Sequence, residues 1–366
     1  MRWLSSRPLR KLTPPVPMPR KSRSMAYWPA RRFSTLSVSS RAPGVRACQA
    51  CWIGTIDMSD APILITGGAG FIGSHLADAL LAQGYAVRIL DDLSTGKRSN
   101  LQMANPRLEL IEGDVADSAL VTRAAQGCQA VVHLAAVASV QASVEDPVKT
   151  HQSNFIGTLN VCEAMREAGI KRVLFASSAA VYGNNGEGES ITEDTLKAPL
   201  TPYASDKLAS EQYLDFYRRQ HGFEPVVFRF FNIFGPRQDP SSPYSGVISI
   251  FAERAEKGLP ITVFGDGEQT RDFFYIGDLT RLLIQALEQP APAEGAINVG
   301  LNKATSLNEL LAALSQVIGQ LPPVSYQAPR SGDIRHSRAD NQRLLERFTL
   351  AESTPLGVGL ARLLER

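Results

Sequence analysis

The sequence predicts a doubly wound α/β fold, a parallel sheet with helices on both faces, followed by a smaller, discontinuous α/β region. Three observations predict it. From Ala61 onward, short β-branched runs alternate with helix-length amphipathic segments. The runs are almost continuously apolar, as strands must be when neither face meets water. A glycine-rich turn joins the first run to the first helix, the position at which such sheets bind phosphate groups.

The first run, Ile63-Leu64-Ile65-Thr66, leads straight into Gly67-Gly68-Ala69-Gly70-Phe71-Ile72-Gly73 and then a helical stretch from Ser74 to Ala82. Glycine permits positive φ, lets backbone N–H groups approach a pyrophosphate, and lets helix and strand pack closely. The helix N-terminus then faces the anion. The second run, 87–90, closes on Asp91, which is placed to accept hydrogen bonds from ribose hydroxyls and to repel a 2′-phosphate. Lys97 and Arg98 weaken that repulsion, but NAD is preferred over NADP. Runs at 108–111, 131–134, 173–175 and 226–228 complete the set. Beyond Asn232 the rhythm breaks into Gly- and Pro-containing stretches with short strands and helices near 278–289 and 306–318. The expected division is a dinucleotide-binding domain over 58–235 and a ligand-binding domain over 236–366, some strands of which return to the first.

Composition narrows the function classes. The chain has 366 residues, 38 Lys plus Arg against 36 Asp plus Glu, and a formal charge of +2, a balance that points to neither nucleic acid nor membrane. The excess positive charge lies in a leader, 1–57, that has no acidic residue before Asp57 and is rich in Ser, Arg and Pro. Two readings fit it: an organellar transit-type leader, or a start codon assigned too early, since Met58 stands just before the first strand. The second is preferred. Of the 4 cysteines, Cys48 and Cys51 fall in the leader, so Cys128 and Cys162 imply no disulfide framework. The 5 histidines, His75, His133, His151, His221 and His336, show no metal-ligand spacing, and no metal is expected. No apolar run reaches the length of a membrane span, so the expected location is the cytoplasm.

A candidate acid/base group follows. Tyr203-Ala204-Ser205-Asp206-Lys207 opens a long helical pattern running through Leu208, Tyr213, Leu214 and Tyr217. Residues i and i+4 share a helix face, so the phenol and the ammonium lie side by side. A free tyrosine ionises near about 10, and an adjacent cation together with a positive nicotinamide ring favours the phenolate. Ser177-Ser178 ends the fifth run, where open sheets place their ligands.

From about residue 60 to its C-terminus the chain resembles the extended short-chain dehydrogenases/reductases, a Rossmann family, and among them the UDP-hexose 4-epimerases. The matching stretches are Thr66 through Gly73, Ser177-Ser178-Ala179-Ala180-Val181-Tyr182-Gly183, Pro202-Tyr203 through Lys207, and Arg229-Phe230-Phe231-Asn232. The resemblance implies that Tyr203 takes the proton of the sugar 4-hydroxyl, Ser178 hydrogen-bonds that hydroxyl, and Lys207 holds the ribose and tunes the tyrosine. Hydride passes from carbon 4 to NAD, the 4-keto sugar turns over, and hydride returns to its opposite face. Besides Tyr203 and Lys207, the implied cofactor contacts are Gly67, Gly70, Phe71, Ile72, Gly73, Asp91, Asp92, Leu93, Ser94, Thr95, Gly96, Asp114, Val115, Leu134, Ala135, Ala136, Ala138, Ser153, Asn154 and Phe231. Ala138 departs from the pattern, because some epimerases carry a lysine there.

The same resemblance bears on substrate. Related dehydratases carry an Asp-Glu pair, and decarboxylases a Glu, where this chain has Ala179-Ala180, whose methyl groups cannot protonate a leaving hydroxyl. Arg271 and Arg330 correspond to UDP-binding arginines, which pair with phosphate oxygens, and Asn232 to a pyrophosphate-side asparagine. Ser337 stands where a bulky tyrosine restricts the site to glucose and galactose, so serine leaves room for an acetamido group and points to UDP-N-acetylglucosamine. Such a volume change is worth only about 1–3 kcal/mol. UDP-uronic acids, plain UDP-glucose and a non-catalytic NAD(P)-binding sensor remain alternatives, although sensors of this kind typically lose the tyrosine or lysine. A homodimer through helices near 154–168 and 203–220 is also implied.

Overall fold

The computed structural model describes residues 61–185, 189–240, 246–292, 295–329, 334–350 and 352–365. The leader reading for 1–57 and the Arg330 assignment lie outside them. All six apolar runs form strands: β1 (Ile63–Thr66), β2 (Val87–Asp91), β3 (Leu108–Glu112), β4 (Ala130–His133), β5 (Arg172–Ser178) and β6 (Glu224–Phe230). They are joined by helices α1 (Phe71–Ala82), α2 (Ser118–Ala125), α3 (Val140–Glu145), α4 (Pro147–His151), α5 (Gly157–Ala168) and α6 (Pro202–His221). Between α4 and α5 the chain makes a π turn, Gln152–Ile156. The α1 helix starts at Phe71 rather than Ser74, because Gly70 serves as its N-cap.

The C-terminal part continues with β7 (Asn232–Phe234), α7 (Val247–Glu256), β8 (Ile261–Phe264), β9 (Thr270–Arg271), β10 (Phe273–Tyr275), α8 (Ile276–Glu288), β11 (Ala296–Val299), β12 (Thr305–Ser306), α9 (Leu307–Ile318) and β13 (Val324–Gln327). Ser306 caps α9 reciprocally with Glu309, a capping box that places the helix start one residue after the expected one. The β11 strand joins the main sheet beside β6, giving seven parallel strands in the order β11-β6-β5-β4-β1-β2-β3.

Alternation along each strand feeds two cores. On β1, Ile63 and Ile65 pack on the side of α1 and α8, whereas Leu64 packs on the side of α2 and α5. Leu64, Ile65, Ile89, Leu90, Val131 and Val132 are fully buried, each worth about 1.5–3 kcal/mol against exposure. The strand order reverses between β1 and β4, so the helices that follow them lie on opposite faces, and the carboxyl ends of these strands are where such a sheet leaves a ligand crevice. That crevice positions the site.

Candidate functional site

The first wall of the crevice is the glycine turn. Gly67 has φ +70, and a Cβ there would lie 2.7 Å from the Ala135 amide nitrogen. At Gly73 a Cβ would collide with the Gly67 carbonyl oxygen, so these two glycines are required by turn and close packing alone. Gly70 differs, since a Cβ there would meet only the Gly67 carbonyl oxygen, at 3.3 Å. No side chain caps α1, and its first turn carries no acid. Its N-terminus therefore has no side-chain cap or acid to compete with a phosphate.

Asp91 is buried at the end of β2, where its carboxylate accepts hydrogen bonds from Ala69 N–H (2.9 Å) and Leu93 N–H (2.8 Å). Burial raises its pKa, and these amides pull it back down. Its remaining lone pairs can still accept ribose hydroxyls. Asp92, Ser94 and Thr95 are exposed on the loop that follows, and Leu93 adopts a positive φ of 57 there. The loop returns through Gly96, beside Asp91, to a Lys97 N–H bond with the Ala69 carbonyl. Backbone bonds also run from Gly67 to Leu90 and from Gly113 to Asp91. Leu134, Ala135 and Ala136 follow β4, and Asn154, in the π turn, holds Val137 by both amide atoms (2.7 and 3.3 Å). Val115 packs against Gly157, and Asp114 accepts from Ala116 N–H. The structure thus gathers these cofactor candidates, with Ser153 beside Asn154, onto the ends of β1 to β4. Phe231 lies apart, buried with Val181, Tyr182, Ile191 and Ala339. An NAD pyrophosphate fits the uncapped helix and a ribose fits Asp91.

The second wall is α6. Pro202 occupies its first turn and the Thr201 hydroxyl accepts from Ala204 N–H, fixing where the helix begins. Tyr203, one residue into it, lies near enough to Ser178 at the end of β5 for that hydroxyl to favour its ionised form. The Ser178 oxygen also accepts from Ala180 N–H at 3.2 Å. Lys207 is 3% exposed, its Nζ lying 4.8 Å from the Phe175 ring centre and 6.0 Å from that of Tyr203. Burial lowers its pKa to about 8, against the pull of Asp206 and Glu211. Burial pushes the Tyr203 phenol above its usual 10, with only the Ser178 hydroxyl opposing it, so adjacency to Lys207 does not by itself yield a phenolate.

Asn232, Arg271 and Ser337 are drawn together by Asp272. This fully buried carboxylate accepts from Leu301 N–H (2.9 Å), Asn302 N–H (3.0 Å) and Ala339 N–H (3.0 Å). Its backbone oxygen accepts from Asn232 N–H at 3.1 Å, while Ser337 N–H bonds to Thr270 O at 3.2 Å. Arg271 donates to Thr270 O (2.9 Å) and Arg335 O (3.4 Å). Asp272, Glu211 and Arg229, the last within a matched stretch, had no role assigned from the sequence. Of the three, Arg229 alone carried a legible signal, a charge inside the otherwise apolar end of β6. Among the described residues no cluster of His, Cys, Asp or Glu is placed to hold a metal ion.

Residues 63–300 match the family described as NAD dependent epimerase/dehydratase. A UDP-glucose 4-epimerase of Mycolicibacterium smegmatis is 38% identical over 82% of this chain and 97% of its own. A solved UDP-N-acetylglucosamine 4-epimerase from Methanobrevibacter ruminantium, in complex with UDP-N-acetylmuramic acid, superposes with TM-score 0.79 at 37% identity, covering 84% of this chain and 98% of that one. The Thermus thermophilus UDP-glucose 4-epimerase complex with NAD gives 0.76 at 38% identity, over 83% and 98%. The matches extend to a UDP-N-acetyl-alpha-D-glucosaminuronate decarboxylase of Bacillus cytotoxicus, 34% identical over 69% of this chain and 79% of its own. The chain belongs to the NAD dependent epimerase/dehydratase family.

Proposed function

We propose that this member of the family inverts carbon 4 of a UDP-hexose, interconverting UDP-N-acetylglucosamine and UDP-N-acetylgalactosamine through a 4-keto sugar. The observation that carries the reading is the convergence of Ser178, Tyr203 and Lys207 at the carboxyl edge of the sheet. NAD, when bound, would supply the acceptor and donor for the carbon 4 hydride. Tyr203 takes the hydroxyl proton as the C–H electron pair leaves, and returns it after the keto sugar has turned. Ser178 orients the hydroxyl, and Lys207 holds ribose and supplies positive charge beside the phenol. Burial opposes the phenolate that this requires, and the Ser178 hydroxyl and nearby positive charge favour it.

Ala179 and Ala180, directly after Ser178, offer no acid for elimination or decarboxylation, which favours simple epimerisation over those reactions. Residues 58–235 serve mainly NAD and 236–366 mainly the nucleotide sugar, with Asn232, Arg271 and Arg330 on the diphosphate and Ser337 beside the 2-substituent. The half-buried Ser337 is small enough to admit an acetamido group. No described helix is long and apolar enough to cross a membrane, and Cys128 and Cys162 are free thiols, which suits a cytoplasmic enzyme. An apolar face formed by Val140, Val144 and Val148 with Tyr213 and Phe216 of α6, all exposed, supports a homodimer. The test is product analysis after incubation with UDP-N-acetylglucosamine and, separately, UDP-glucose, without added reductant. Faster formation of UDP-N-acetylgalactosamine sustains the reading. Exclusive formation of UDP-galactose removes the Ser337 assignment alone, and no change in either sugar removes the reaction.

A further inference from the structure

At the end of β4 stands a histidine for which the chemistry above has no use. His133 is 1% exposed, with Nδ1 2.7 Å from Thr66 Oγ1 and Nε2 2.9 Å from Thr158 Oγ1. The surrounding bonds determine which atom donates. The Thr158 hydroxyl hydrogen is directed to the Asn154 carbonyl one turn earlier, at 2.6 Å, so toward the ring Thr158 Oγ1 can only accept. Nε2 therefore carries a proton. The Ser210 hydroxyl, 3.4 Å from the same oxygen, has a better acceptor in the Asp206 carbonyl at 2.8 Å and leaves this assignment unchanged.

A neutral imidazole with Nε2–H presents Nδ1 as an acceptor, and Thr66 supplies the hydrogen. Thr66 Oγ1 in turn accepts from Ala135 N–H at 3.3 Å. A charged ring would set an N–H against the Thr66 hydroxyl and displace its hydrogen. Burial, reinforced by Lys207, lowers the His133 pKa to about 3, which keeps the ring neutral. One directional chain results, from Ala135 N–H through Thr66, His133 and Thr158 to the Asn154 carbonyl. Thr66 directly precedes the Gly67 turn, Ala135 lies in the loop after β4, and Asn154 holds Val137 of that loop from the π turn.

We infer that His133 is a positioning residue for the cofactor: locked as the Nε2–H tautomer, it sets the Gly67 turn, the loop after β4 and the π turn in register around NAD. The inference rests on assigning Gly67, Ala135 and Asn154 to the cofactor site. Thr66→Val keeps the shape of the side chain but leaves Nδ1 without its donor and Ala135 N–H without its acceptor. NAD should then bind about tenfold more weakly, as expected when buried polar groups lose their partners. Turnover at saturating NAD should change little, and Thr66→Ser, which retains the hydroxyl, should restore the affinity. Nitrogen NMR, with His133 assigned by its loss in His133→Gln, should show the Nε2–H tautomer throughout the neutral range.

Direct NAD titration needs no sugar, so the result is independent of the proposed reaction. If the parent chain binds no NAD, the cofactor-site assignment falls and takes the inference with it. If parent and Thr66→Val bind NAD equally tightly, or if the ring is charged or carries its proton on Nδ1, the inference alone is overturned.

Discussion

Arg229 on β6 holds Glu211 on α6 through two hydrogen bonds, Nη2 to Oε2 at 2.6 Å and Nε to Oε1 at 3.0 Å. The two side chains are only 6% and 10% exposed. Glu211 lies one turn beyond Lys207, and its other partner is the Ser177 hydroxyl next to Ser178. The same guanidinium donates to the Tyr182 hydroxyl at 2.8 Å, which donates to Asn298 on β11 at 2.6 Å. A buried ion pair thus fixes the acid/base helix to the sheet at the level of the site.

Removing one partner of a buried pair leaves an uncompensated charge, which costs about 3–5 kcal/mol. Arg229→Met should lower unfolding stability by that amount in urea titrations, whereas Arg229→Met with Glu211→Leu should regain much of it. A single variant as stable as the parent would show that water already screens the pair.

Tyr203→Phe should retain bound NAD and lose turnover by about a hundred- to ten-thousand-fold, the range for a missing general acid/base. Single-turnover assays with a UDP-hexose measure it. Activity close to that of the parent would remove Tyr203 from the chemistry.

Ser337→Tyr should shift preference from the N-acetylated toward the plain UDP-hexose by about 10- to 200-fold in kcat/KM, the scale for one pocket contact. Comparing the two substrates on both proteins decides it, and an unchanged ratio would place Ser337 away from the sugar.

Lys207 makes stability depend on pH in a direction that can be stated. Its pKa falls from 10.5 to about 8 on folding, so between those values the unfolded chain binds more protons and stability rises with pH. Below about 8 the folded protein carries the full penalty, ~3 kcal/mol for that gap. Lys207→Met should therefore be more stable than the parent at neutral pH, and the advantage should shrink as pH rises from about 8 toward 10.5. A constant difference across that window would mean that folding leaves the lysine pKa unshifted.

Val148 is 68% exposed on α4, within the apolar face proposed for a second copy of the chain. Val148→Glu should convert a dimer into a monomer in sedimentation velocity while leaving the unfolding midpoint of the monomer unchanged. Identical sedimentation of the two proteins would move the interface elsewhere.

The six apolar runs were legible because a strand buried on both faces must be apolar throughout, and the G-x-x-G-x-x-G turn because its geometry depends on consecutive residues. The Tyr203 to Lys207 spacing was legible for the same local reason, as helix periodicity puts both on one face. What lay beyond the sequence depends on partners far away in it. A strand returning to the first domain was expected, but that it is β11, paired beside β6, depends on where α8 carries the chain. Asp272 is indistinguishable from a surface aspartate until the 301–302 and 339 backbones close over it. The Tyr203 pKa rises in the closed chain because burial, set by tertiary packing, outweighs the opposing Ser178 hydroxyl. The His133 tautomer is likewise determined by Thr66 and Thr158, 67 positions before it and 25 after it. Sequence periodicity determined which elements form and which faces they bury; tertiary packing decided which polar groups lose water and must find one another, because desolvation acts only once the chain has closed.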